Sequence, residues 1–95
     1  MHPTHGGRFI LELDAVENDE VLYTLELFTP SAKWKAGAQV NLKNGAITFG
    51  TFEPNEPPPW LIAKTHAFLR SEWKSRQKPD RAEPWPRRIQ RWREE

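Results

Sequence analysis

Ninety-five residues, 37% of them apolar and 28% charged, suffice for one small domain near the lower limit at which a single core sustains itself. The absence of cysteine excludes disulfides and thiolate zinc sites, so five Trp, five Phe and the aliphatic residues must supply an aromatic-rich core. No apolar run approaches the roughly 20 residues of a membrane span, and the opening "MHPTHGGR" lacks the apolar stretch of a secretory signal, so the chain reads as soluble and cytoplasmic.

The net charge of +1 hides an asymmetry. Residues 1–63 carry four Lys and Arg against eight Asp and Glu, a net −4, whereas residues 64–95 carry ten against five, a net +5. Such halves either attract each other within the fold or present a basic surface to a partner.

Residues 1–7 read as a flexible tail. "RFILELDAV" (8–16) alternates with period two, Phe9, Leu11, Leu13 and Ala15 on one face and Arg8, Ile10, Glu12 and Asp14 on the other, which predicts a strand. "END" (17–19) has turn chemistry, and "EVLYTLELF" (20–28) resumes the alternation, so the two form a hairpin. "TPSAKWKAG" (29–37), with Pro30 and Gly37, reads as a connection carrying Trp34 between two lysines. "AQVNLKNGAITFGTFE" (38–53) gives two short strands about Asn44-Gly45, a pair suited to a type I′ turn, with Gly50 marking a bulge or a close approach to the backbone.

"PNEPPP" stops the sheet, since proline lacks the donor, and Pro59 suits the first position of a helix. From Trp60 the period changes: Leu61, Ile62, Thr65, Phe68, Leu69 and Trp73 fall within one arc of about 140° at 100° per residue, predicting an amphipathic helix over 58–77. Glu72 lies inside that arc, and an i, i+4 pair with Arg76 or a terminal arginine accounts for it. Pro79-Asp80 ends the helix. Beyond it, Trp85, Ile89 and Trp92 are spaced i, i+4, i+7, which predicts a second, short helix from Pro86 to about Arg93. The whole is an α+β domain of order ββββαα: a four-stranded antiparallel meander (8–53) covered on one face by the main helix, with a basic, Trp-rich segment at 79–95.

That terminal segment carries the functional expectation. Its helix would place Arg87 and Arg88 at the positive end of the macrodipole and Glu94 and Glu95 at the negative end, so only contacts to something else could order it. Trp34, Trp85, Arg87, Arg88, Arg91, Trp92 and Arg93 are the contact candidates for a non-catalytic module that binds another protein or a second copy of itself. The copy is suggested by Ile10, Leu22 and Phe28, which lie on the sheet face that the helices leave bare. The alternative is a nucleic-acid-binding accessory protein using the same residues on phosphates and bases, opposed by a near-neutral chain and an acidic first half. His2 and His5 lack a third ligand nearby, His66 sits at the helix edge, and no nucleophile elbow or phosphate loop is present. No catalytic residue, metal or cofactor is therefore expected.

Overall fold

A computed structural model describes residues 2–78 and 83–95. Its elements in chain order are β1 (Gly7–Glu17), β2 (Glu20–Phe28), β3 (Lys33–Asn41), β4 (Ile47–Phe49), α1 (Pro59–Ser75) and β5 (Arg88–Arg93). The five strands form one antiparallel sheet of order β4-β3-β2-β1-β5, with α1 on one face. The α+β class and the antiparallel meander stand as expected; the strand count and the second helix do not. The expected helix stop at Pro79-Asp80 and the first part of the connection after it lie outside the described residues.

Alternation places the core. Phe9 and Leu11 of β1, Val21, Tyr23, Leu25 and Leu27 of β2, and Trp34, Ala36, Ala38 and Val40 of β3 face α1 and are buried, together with Leu61, Thr65 and Leu69 from the helix. Pro59 opens α1 as its first residue, and Phe68 and Trp73 flank the buried stripe: Phe68 stacks obliquely on Phe9, and the Trp73 indole N–H donates to Leu42 O at 3.0 Å. Thr65, the polar member of the buried residues of α1, is satisfied by its own helix, donating to Leu61 O at 2.9 Å.

Three local readings need correction. Residues 33–37 are not a connection but the first half of β3: Trp34 and Ala36 continue the inward series while Lys33, Lys35 and Gly37 face out. Small alanines and a glycine hid the period. The two-residue type I′ requirement of positive φ at both central positions is met at Asn18 and Asp19 (φ 51° and 61°), joining β1 to β2. Around Asn44-Gly45 only Gly45 is positive, in a longer loop. Asn41 organises that loop, its side-chain oxygen accepting from Lys43 N at 2.9 Å. Finally, β1 does not alternate to its end. A bulge between Leu13 and Ala15 turns Ala15 to the bare face, opposite Leu22.

Gly50 does sit at an irregularity. Ala38 pairs with Phe49 while Lys35 pairs with Glu53, so the β4 side holds one extra residue over that span. The bare face is less bare than its composition suggests. Ile10 and Phe28 are only 8% and 4% exposed. The His2 ring packs edge-on against Phe28 and its Nδ1 bonds Thr29 O at 2.7 Å, while Lys33 lies over the same Phe28 ring and pairs with Glu26 at 2.9 Å. The patch that suggested a second copy is thus covered largely within one chain.

Candidate interaction surface

The terminal segment is a strand. Two prolines, Pro84 and Pro86, hold its approach extended, and a helix from Pro86 would have had its charges arranged against the macrodipole. Beside it, β1 would otherwise leave a row of backbone donors and acceptors unpaired. Pairing Gly7–Glu12 with Arg88–Arg93 satisfies that row over six residues. The i, i+4, i+7 spacing of Trp85, Ile89 and Trp92 has no structural meaning here, because the three do not share a face. Ile89 enters the core at 3% exposure, opposite Leu11; Trp92 stands on the other side of the sheet and Trp85 precedes the strand.

Each terminal aromatic has a defined place. Trp85 packs edge-on against Tyr23 and under the Arg76 guanidinium, whose Cζ lies 4.5 Å from the ring centroid. Arg76 reaches back to Glu72 at 2.8 Å, as the i, i+4 spacing predicts, and its Nε donates to Glu83 O at 3.1 Å, tying the connection to the helix end. The Tyr23 hydroxyl donates to Pro86 O at 2.8 Å. Burial pushes that phenol up to about 12, opposed by the Arg76 cation and aided by Glu72. Trp92, 37% exposed, packs edge-on against His5 and its indole donates to His5 O at 2.8 Å. Trp34 is buried, its indole donating to Asn55 Oδ1 at 2.7 Å. Trp34 and Trp85 therefore spend their rings on the fold, and Trp92 is the most exposed of the three.

The arginines remain outside. Arg88 lies 3.6 Å from Glu12, with both side chains more than half exposed, a pair that contributes little. Arg91 and Arg93 are on the α1 side of the strand. The Arg91 guanidinium lies 5.4 Å from the Phe68 centroid, and that of Arg93 lies 5.7 Å from Phe9 and 5.9 Å from Phe68. Among the described residues, neither has a carboxylate within 4 Å. Arg87 is exposed, and its carbonyl accepts from Leu13 N at 2.8 Å. The structure thus brings Arg88, Arg91, Trp92 and Arg93 onto one edge strand, with Arg87 immediately before it, and leaves Trp34 apart from them. Phe68, the platform for two of these cations, is a member of the site that its place in a helical stripe gave no reason to single out. On the helix itself, Arg70 is occupied by Asn44 O and Gly45 O at 3.2 and 2.8 Å.

The remaining concavities hold less. A shallow depression of about 330 Å³ on the bare face, lined by Asp14, Gly37, Gln39, Thr48 and Gly50 among others, exists because two glycines leave backbone uncovered. Its carboxylate, Asp14, already accepts from the Thr24 hydroxyl at 2.8 Å. His66 touches the sheet rim through Phe49, as a helix-edge histidine does. Among the described residues no helix is long and apolar enough to cross a membrane. Compared with known protein families, curated proteins and solved structures, the chain has no match.

Proposed function

We propose that this chain is a non-catalytic interaction module that binds an acidic region of another protein through β5 and its flanking Arg87. The carrying observation is the pair Arg91 and Arg93: two cations side by side on an exposed strand, held by aromatic faces and with no carboxylate of the described residues within reach. Carboxylates match arginine forks in geometry as well as charge, and arginine is enriched where interfaces concentrate their energy.

Two features favour a protein over a nucleic acid. Stacking on bases needs free rings, yet Trp34 and Trp85 face inward and Trp92 is half engaged by His5. The ridge is also short and bounded by acid, Glu12 beside one end and Glu94 and Glu95 following the other, which a phosphate chain running past would meet.

The test is fluorescence anisotropy with labelled polyglutamate and labelled oligo-dT, between about 50 and 200 mM salt. Polyglutamate should bind more tightly than oligo-dT, and Arg91→Gln with Arg93→Gln should weaken it several-fold, at a stability cost of about 1–2 kcal/mol from the two lost ring contacts. Absence of polyglutamate binding at low salt defeats the reading. Tighter, steeply salt-dependent binding of oligo-dT would replace it with the nucleic-acid alternative.

A further inference from the structure

The phase of the sheet's hydrogen bonds shows which backbone groups of β5 are uncommitted. Leu13 N donates to Arg87 O, so Leu13 and Arg87 form a bonded pair, and in an antiparallel ladder such pairs alternate. Leu11 with Ile89, Phe9 with Arg91 and Gly7 with Arg93 follow in the same phase. The N–H and C=O of Arg88, Gln90 and Trp92 then point away from β1, toward the open edge. The same phase carried across β2 turns Lys35 and Gly37 toward β4, where they do bond Glu53 and Gly50. The assignment is consistent over all five strands.

Two of the outward carbonyls are not bare. Arg91 Nη1 donates to Gln90 O and Arg93 Nη1 to Trp92 O, each at 2.8 Å. The arginines cap their own strand's edge. At the opposite edge, β4 has three residues, followed by the irregularity at Gly50 and by Pro54, and is too short to template another strand. Copies of β5 meeting edge to edge would set arginines against arginines, which disfavours self-pairing.

We propose, resting on the interaction reading above, that an acidic segment adds to the sheet as an antiparallel sixth strand along β5. Its backbone pairs with Arg88, Gln90 and Trp92, while Arg91 and Arg93 move from the edge carbonyls onto its carboxylates. Each displaced guanidinium exchanges a neutral acceptor for a charged one, and each freed carbonyl gains a peptide N–H, so no polar group is left unpaired. Strand addition to an open sheet edge is an established mode of peptide capture. The segment's pattern follows from the register. Residues whose N–H groups face β5 share the face of Trp92 and Gln90, and the alternate residues lie beside Arg91 and Arg93 and carry the acid. The ligand is therefore acidic at every second position rather than acidic in a block.

The test uses end-capped peptides of about eight residues: one alternating Glu and Thr, one of the same composition with its Glu residues in a block, and one alternating but N-methylated at its Thr amides. Binding is followed by anisotropy and by amide exchange in the full chain. The alternating peptide should bind at least about tenfold more tightly than the other two and slow exchange at Arg88, Gln90 and Trp92. Ile89 and Arg91, already bonded to β1, should change little. Equal binding of all three peptides with no new protection overturns strand addition while leaving the charge-based interaction reading intact. No binding by any of them, with polyglutamate also inert, removes both.

Discussion

Ile89→Ala tests whether β5 belongs to the core. Ile89 is 3% exposed and sits opposite Leu11, which is fully buried, so the substitution withdraws nearly an entire side chain from the interior. Replacing a buried Ile by Ala costs about 2–5 kcal/mol, and an edge strand that can settle inward keeps the cost in the lower half, about 2–3 kcal/mol. For a domain of this size each kcal/mol moves the midpoint about 4–8 °C, so a drop of roughly 10–20 °C is expected in thermal unfolding followed by circular dichroism. If the strand undocks by itself, the loss appears instead as faster amide exchange at Phe9 and Leu11, whose N–H groups face β5. Gln90→Ala, exposed and on the other face, should stay within about 0.5 kcal/mol of the parent. A change under about 0.5 kcal/mol for Ile89→Ala, with Trp92→Ala the costlier of the two, would refute the register and turn the opposite face of the strand to the core.

Tyr23 gives the fold a dependence on alkaline pH. Its folded pKa of about 12 lies above the ordinary 10.0, so its contribution is complete below pH 10 and is lost as pH rises toward 12, with a slope of about 1.4 kcal/mol per pH unit. In urea titrations over that range, Tyr23→Phe should lose less stability than the parent, although at pH 7 it should be about 1–2 kcal/mol less stable because Pro86 O loses its donor; parallel slopes for the two proteins would exclude this account. The glycines separate cleanly. A Cβ at Gly45 would overlap the Trp73 ring, at a φ of +73° that side chains rarely adopt, so Gly45→Ala should destabilise by more than about 1 kcal/mol. Gly37 has nothing within 4 Å of that position, so Gly37→Ala should be neutral or raise stability by up to about 1 kcal/mol in the same melts.

The interaction surface was only partly legible beforehand. Its arginines and Trp92 were visible as a cluster in the sequence, because charge and aromatic content need no geometry. The division of labour among the tryptophans was not. Trp34 and Trp85 look like Trp92 until the partners Asn55, Tyr23 and Arg76 are known, and Asn55 and Tyr23 lie far from them in sequence. The edge carbonyls of Gln90 and Trp92 leave no trace in side-chain patterning at all.

By itself, the sequence determined the parts whose signal is local: the β1–β2 hairpin from its alternation, the start of α1 at Pro59 and its buried stripe, and the Glu72–Arg76 pair. Only the tertiary structure decided the fate of the last residues. Residues 86–93 are too few to sustain any element alone, and their spacing fits a helix as well as a strand. The open edge of β1, some eighty residues away in the chain, offers a ladder to one of those conformations and nothing to the other. A choice made by a distant backbone cannot be read from the side chains that obey it.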